Sequence, residues 1–481
     1  MNMPENMQVN MLVNMSENMP ANMPVNMPAN MPMNMPANMP MNTRIGYACL
    51  TVGVQHTGQK SCMLKNASEE KLLELIHFNL NSLENIIDYN IKNNIKLFRI
   101  SSDLIPFGSS SVNNLSWWNI FASQFTKIGE KIKNNGMRVS MHPGQYTVLN
   151  SPDAGVVERA IKDLNYHARV LDSLGMGAEH KIILHMGGVY NDKKQAIKRF
   201  IANYYHLDDS VKQRLVLEND DKLYNICDVL EVGTILNVPV IFDNLHNKIN
   251  SCDNQKDDFY WISECRKTWN MKDGKQKIHY SQQDPAKKPG SHSNSICINE
   301  FMDFFKSLSA KDTKDTKDTK DTKDMKDTKD MKDIDIMLEV KDKNLSAIKC
   351  INCISVNKGI KALELEWARY KYKILENSPS GYVEIRELLQ NKNSYPAVPF
   401  YNLIEDALQK ECTIGNSING ALHIWGYFKN TASEKEKNNF IKSIDVYKQG
   451  TTSIKTVKNS LWKMAVKYQQ LYLLDSYYFV L

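Results

Sequence analysis

The sequence predicts an α/β protein: a (β/α)8 TIM barrel with an all-helical C-terminal extension and a disordered N-terminal repeat. Eight short β-like runs alternate with amphipathic helical stretches between Arg44 and Val340, and a barrel is the natural closure of that pattern. Six successive runs, the third to the eighth, each end in a histidine or carboxylate, which is where a barrel gathers its chemistry. Two low-complexity segments, 1–42 and 311–333, stand apart because neither offers an apolar face to bury.

Residues 1–42 form a degenerate Asn-Met-Pro repeat in which recurrent proline forbids a helix, so the segment reads as disordered. It has neither the basic region nor the continuous apolar region of a secretion signal. The folded chain is expected to begin at Thr43. Strands are expected at 44–48, 96–101, 137–141, 181–185, 215–218, 238–243, 276–280 and 334–340. Helical periodicity fills 68–92, 116–134, 153–174, 192–207, 222–236, 257–269 and 296–308. The Lys-Asp-Thr triplets of 311–333 alternate in sign without apolar support and read as disordered or frayed. They fall between a helix and the eighth strand, on the barrel face opposite the catalytic one, where an insert is tolerated. The barrel domain is assigned to 43–358. The rest, 359–481, has helical periodicity and aromatic stripes, which indicate a helical domain with its own core.

A chain of 481 residues with 42% hydrophobic content can bury a sizeable core. Its +6 net charge, 60 basic against 54 acidic residues, permits an anionic partner without demanding one. No apolar run is long enough to span a bilayer, and a cytoplasmic monomer is expected. Nine cysteines without periodic spacing read as reduced thiols. Cys350 and Cys353 form one CxxC, which without a second pair or nearby histidines is read as half-buried thiols rather than a zinc site.

The segment MRVSMHPGQYTVLN, 137–150, is the most informative. Val139 and Met141 alternate with polar residues up to His142, so a strand delivers a polar ligand at its tip. Pro143 and Gly144 end it, and Gln145 and Tyr146 follow on a loop. The other tips supply His185, Glu218, Asp243 with His246 three residues on, His279 and Glu339, while His292 lies in the loop after strand seven. Imidazoles and carboxylates without cysteine are the ligand set of Zn2+ or Mn2+ in a multinuclear hydrolytic centre. A packing role is the default for any one of these residues, but convergence of six tips on one barrel face outweighs it. Glu218 could bridge two cations. Lys277, two residues before His279, faces the same barrel interior, where a lysine is unfavourable unless neutral, modified or paired with a carboxylate.

With these residues in place, the chain resembles the UV damage endonuclease family, relatives of endonuclease IV. The matching blocks are RIGYACL (44–50), FRISSDLIPF (98–107), SMHPGQY (140–146), ILHMGG (183–188), LVLENDD (215–221), FDNLHN (242–247), KIHYS (277–281) and LEVKDKN (338–344). The resemblance covers about 43–354 apart from the Lys-Asp insert. It implies a DNA repair endonuclease that nicks damaged double-stranded DNA immediately 5′ of UV photoproducts, leaving 3′-hydroxyl and 5′-phosphate ends. It implies a divalent metal cluster, Mn2+ with Zn2+ or Mg2+ as alternatives, held by His142, His185, Glu218, Asp243, His246, His279, His292 and Glu339. Glu218, Lys277 and Glu339 are the expected catalytic residues, and Lys277 matches a lysine that can be carboxylated. Gln145 and Tyr146 match residues that wedge into the duplex at the extruded lesion, and Tyr47 matches an aromatic lining that groove. A photoproduct stacks and pairs poorly, so extruding it costs less than flipping a normal base. One departure stands out: Ser109, Ser110 and Ser111 occupy positions where a Ser-His pair is expected. The rival readings are an apurinic-site endonuclease, a TIM-barrel sugar isomerase and a non-catalytic DNA-binding protein.

Overall fold

The computed structural model describes residues 43–310, 334–355 and 358–481. Both low-complexity segments, 1–42 and 311–333, lie outside the described residues. Eight strands, β1 (Ile45–Ala48), β2 (Leu97–Ile100), β3 (Arg138–Met141), β4 (Lys181–His185), β5 (Leu215–Glu218), β6 (Val240–Asp243), β7 (Gln276–Tyr280) and β8 (Ile334–Leu338), close in sequence order into a parallel barrel. This is the predicted fold, with strand ends displaced by at most two residues.

The surrounding helices are α1 (Glu69–Lys92), α2 (Trp117–Ile120), α3 (Ala122–Asn134), α4 (Ala154–Ser173), α5 (Lys193–Tyr204), α6 (Asp209–Lys212), α7 (Ile226–Leu236), α8 (Asn244–Ile249), α9 (Asp258–Arg266) and α10 (Ile298–Ala310). Side-chain caps fix several starts. Ser68 accepts from the Lys71 amide, Asp153 from the Gly155 and Val156 amides, and Asn225 forms a capping box with Asp228. The helix expected over 116–134 is broken at Phe121, whose φ of −105° and ψ of 20° interrupt the helical path. Helix α8 has no counterpart among the sequence-based expectations. Asp243 starts it by accepting from the His246 amide at 2.8 Å, so the last residue of β6 also caps the helix that carries His246.

The main core lies between the barrel and its helices, while the barrel interior is filled differently. Two small apolar clusters, Ala48–Leu97–Met337 and Ile183–Val216–Ile241, occupy its middle. Beneath them Arg138 donates to Asp335 at 2.8 Å and to the carbonyls of Glu179, Lys275 and Asp273, while Lys181 reaches Asp273 at 2.5 Å. The floor of the barrel is thus an ionic plug with its hydrogen bonds directed at backbone from several strands and loops.

Past β8 the chain is helical: α11 (Asn344–Ile354), α12 (Lys361–Asn377), α13 (Pro379–Leu388), α14 (Ala397–Gln409), α15 (Ile414–Trp425), α16 (Glu434–Lys448), α17 (Ile454–Lys467) and α18 (Leu471–Leu474). The apolar core runs across residue 359. Leu363, Ile374, Phe400, Tyr401 and Ile404 belong to the same cluster as the barrel, and a separate core forms around Ile418, Phe428, Leu461 and Tyr478. Among the described residues, no helix is long and apolar enough to cross a membrane.

Two expectations about cysteine are corrected. Cys227 and Cys252 are joined in a disulfide with Cα atoms 6.2 Å apart, so not all nine thiols are free. Their separation of 25 residues hid the pair, because the first turn of α7 after β5 and the loop after α8 bring it together. Cys350 and Cys353 are fully buried in α11 rather than half-buried, and burial pushes both thiols up.

Gly46 marks the closest approach between β1 and β2. A Cβ there would lie 2.0 Å from the Leu97 carbonyl oxygen and 2.6 Å from the Leu97 Cβ. Backbone cannot yield as a flexible side chain can, so Gly46→Ala is expected to destabilise the barrel by about 1–3 kcal/mol or more. Urea unfolding checks this, and an unchanged midpoint would mean that the strands have slack at this contact.

Candidate metal centre

At the C-terminal mouth of the barrel, period-two alternation aims His142, His185, Glu218, Asp243, His279 and Glu339 inward from six successive strand ends. Two triads meet there, His142–His185–Glu218 and Glu218–Asp243–His279, each with potential ligand atoms within 4.8 Å of one another. Glu218 belongs to both. Its carboxylate is 3.1 Å from His142 Nε2, 3.5 Å from His185 Nε2 and 2.6 Å from His279 Nδ1, and the residue is 1% exposed.

The remaining candidates are graded by distance. Glu339 lies 3.3 Å from His279 Nδ1, and the His246 ring lies 5.8 Å from that of His185. The His292 ring lies 6.5 Å from that of His246, so it stands at the edge of the group. Lys277 sits one inward position below His279, paired in register with Asp335, and is buried. Burial, with Arg138 and Arg99 nearby, holds its amine well below the usual lysine range despite Asp335 and Glu218.

Hydrogen bonds select the ring nitrogens that face the centre. His142 Nδ1 donates to the Pro143 carbonyl at 3.0 Å, leaving Nε2 toward Glu218. His246 Nδ1 donates to the Asn219 carbonyl at 2.9 Å. Burial pushes His142 down to about 4, with Glu218 only partly offsetting it. Burial also opposes charge on His246, but Asp243, Glu218 and Glu339 outweigh it and push this imidazole up to about 9. Glu218 would be raised by burial, yet His279, His185 and His142 hold it well below the usual carboxylate range. Asp243 is raised, chiefly by burial.

The donor set is imidazole nitrogen and carboxylate oxygen without thiolate, which suits a divalent cation. Asp243 fits that reading in a specific way: its Oδ2 is buried and without a hydrogen-bond partner, an arrangement that a cation would satisfy.

Gln145 and Tyr146 are exposed on the loop that leaves His142, with Tyr146 70% exposed. Tyr47 is not: it is 0% exposed, its hydroxyl is tied to Asn90 and Thr51 at 2.8 Å, and its ring packs edge-on against Phe98. The expectation that Tyr47 lines a lesion groove is therefore corrected. Its neighbour Ala48 takes the inward position on β1, so Tyr47 points into the layer between barrel and helices.

Arg99 is the residue that sequence reasoning missed. It extends inward from β2 and forms a half-buried ion pair with Glu339. Burial opposes its charge, but Glu339, with Glu218 further off, keeps it fully protonated. The signal was present, since a lone arginine in an apolar strand at an inward position needs a buried partner.

The fold and the site together define a closed parallel eight-stranded barrel with two candidate metal-ligand triads, linked through Glu218, at its C-terminal mouth. Comparison with known proteins identifies the family. The profile described as "UV-endonuclease UvdE" matches residues 43–370, and the chain belongs to this family. A second profile, "Protein of unknown function (DUF1722)", matches residues 371–481. The chain is 43% identical over 373 residues to the UV DNA damage endonuclease of Clostridium perfringens (strain 13 / Type A), covering 76% of this chain and 83% of that one. It is 30% identical over 306 residues to the protein of the same name from Bacillus cereus (strain B4264), covering 63% and 90%. The crystal structure of SacUVDE matches with a TM-score of 0.57 at 36% identity, over 65% of this chain and 98% of that one.

Replacing Arg99 by methionine removes one partner of a half-buried pair and leaves Glu339 with His279 as its remaining neighbour. In chelator-treated protein this is expected to cost about 1.5–3 kcal/mol in urea unfolding. Arg99→Met with Glu339→Leu should regain most of that loss, and equal losses in the single and double variants would show that the pair does not determine stability.

Proposed function

We propose that the protein is a divalent-metal-dependent DNA repair endonuclease that nicks the backbone immediately 5′ of UV photoproducts, leaving a 3′-hydroxyl and a 5′-phosphate. The observation that carries this reading is the position of Glu218, shared by two triads at the mouth, one residue run away from an exposed amide and phenol. Glu218 would supply carboxylate oxygen to both triads at this mouth. The names of its relatives supply the substrate class, damaged DNA.

His142, His185 and Glu218 would hold one cation and Glu218, Asp243 and His279 another, with His246, His292 and Glu339 completing the outer positions. Bound Mn2+, or Zn2+ or Mg2+ in its place, supplies water activation and charge stabilisation at a departing oxygen. The chain's own residues prepare for it. Glu218 is kept anionic by its imidazole neighbours, His279 and His185 foremost, and burial disfavours a positive charge on His142. Arg99 neutralises Glu339, which limits carboxylate repulsion before a cation arrives. Lys277, held toward neutrality beside Glu218, is suited to carboxylation, which would convert it to an anion facing the centre.

Gln145 and Tyr146 project from the rim on a loop that starts at a ligand, so a duplex lying over the mouth meets them first. Flipping a damaged dinucleotide leaves a gap that an amide and an aromatic ring can fill. This rim also separates the reading from a sugar isomerase, which would require a closed monosaccharide pocket. Under this reading the protein acts as a monomer on damaged double-stranded DNA.

Purified protein with Mn2+ should nick a labelled UV-irradiated duplex, lose that activity in EDTA, and cut an abasic duplex more slowly than a photoproduct duplex. Gln145→Ala with Tyr146→Ala should lower the preference for irradiated DNA at least tenfold while Mn2+ content is unchanged, and His142→Ala should lose Mn2+. Equal cutting of irradiated and undamaged DNA by the unaltered protein would defeat the proposal.

A further inference from the structure

Beneath the loop that joins His142 to Thr147 lies a chain of buried polar contacts that neither metal nor DNA would touch. The Thr147 hydroxyl donates to Asp163 Oδ2 at 2.6 Å. Four residues along α4, His167 places Nδ1 2.7 Å from the Asp163 carbonyl and 3.6 Å from its carboxylate. The other nitrogen, Nε2, lies 2.9 Å from Ser102 Oγ, and Ser102 Oγ donates to the backbone carbonyl of His142 at 2.7 Å. Tyr166 pins this serine further by donating to its carbonyl at 2.8 Å. Thr147, Asp163 and His167 are 2%, 4% and 0% exposed.

The order Asp163, His167, Ser102 has the composition of a nucleophilic triad, but the geometry excludes that role. Ser102 Oγ is directed at a carbonyl oxygen, and His167 has no exposed surface on which a substrate could sit. The contacts converge on the two ends of one short loop. At one end the carbonyl of His142 is held by Ser102 from the segment after β2, at the other the hydroxyl of Thr147 is held by Asp163, and His167, one turn from Asp163 on α4, reaches Ser102. Between them the loop turns through a 2.9 Å bond from the Thr147 amide to the Gly144 carbonyl, leaving Gln145 and Tyr146 exposed.

We infer that Thr147, Asp163, His167 and Ser102 form a positioning relay that fixes the Gln145–Tyr146 rim relative to the His142 imidazole. The inference rests on the proposed function for the roles of those two ends. Largely buried hydrogen-bonded arrays of this kind restrict geometry, and outer partners of a metal ligand govern affinity although they never touch the ion. Without the relay the Thr147 end of the loop loses its side-chain bond to α4 and keeps the turn to Gly144. With it, a displacement at the rim moves the carbonyl of a ligand.

A double-mutant cycle between the two ends tests the relay in the full-length protein. Ser102→Ala and Thr147→Val are made singly and together, with Thr147→Ser as the conservative control. Mn2+ affinity is measured by calorimetry without DNA, and the ratio of binding to irradiated and undamaged duplex is measured in EDTA. Thr147→Val is expected to weaken Mn2+ binding about tenfold although Thr147 is not a ligand, and Ser102→Ala to lower the duplex ratio although Ser102 is not at the rim. The double variant should be no worse than the weaker single one, because either change already breaks the relay. Thr147→Ser should retain the unaltered protein's affinity. Additive effects, or a lowered melting temperature with unchanged Mn2+ affinity and duplex ratio, would overturn the relay and leave these residues purely structural. If the unaltered protein shows no preference for irradiated duplex, the proposed function fails and the Mn2+ arm alone decides the relay.

Discussion

The centre depends on one buried negative charge. Glu218 is almost fully removed from water, where an unpaired carboxylate would be expensive, and three imidazoles offset that cost from separate strands. Its position at the end of β5 is fixed by register: Glu218 stands opposite His185 on one side and Ile241 on the other. A one-residue slip in either pairing would send the carboxylate into the helix layer. Barrel closure and assembly of the centre are therefore the same event, which is why so few loop residues are needed to build it.

Below that charge the interior is organised in layers. The floor pairs Arg138 with Asp335 and Lys181 with Asp273, the middle holds the two small apolar clusters and Lys277, and the mouth carries the centre with Arg99 against Glu339. Lys277 lies between two positive groups, Arg138 below and Arg99 above, and their fields add to burial in disfavouring its protonated form. A purely apolar interior would be easier to fold. The ionic floor instead places a fixed cation under the lysine, so the floor and the centre are coupled by electrostatics as well as by packing.

Much of this was legible in the sequence because strand alternation carries direction. A histidine or carboxylate at the last inward position of a strand must emerge at the mouth, and His142, His185, Glu218, Asp243 and His279 all obeyed. The same rule, applied one residue more strictly, would have placed Tyr47 outside the barrel, since its neighbour Ala48 faces inward. Arg99 was overlooked because β2 ends without a histidine or carboxylate, although its inward arginine required a partner. Helix α8 was hidden by its length, with a start signal, Asp243, that doubles as a strand residue. The disulfide and the relay were illegible for a different reason: Cys227 with Cys252, and Ser102 with His167, meet only once segments that follow separate strands are placed.

The C-terminal helices bear on the catalytic face through the loop after β1. Gly53 adopts φ of +73°, and a Cβ there would lie 2.8 Å from a Val480 methyl, so the end of the chain packs directly on this loop. Asn344, at the start of α11, closes the same loop from the other side by exchanging hydrogen bonds with the Val52 amide and carbonyl. Further along, Arg369 of α12 bridges Glu366 and Asn93 at the far end of α1. The extension thus braces α1 at one end and the β1 loop at the other, and shares the apolar core with both. A loop fixed between Asn344 and Val480 cannot shift without disturbing the C-terminal helices. The extension is therefore packed against the β1 loop, which leaves the barrel on the same side as the candidate metal centre.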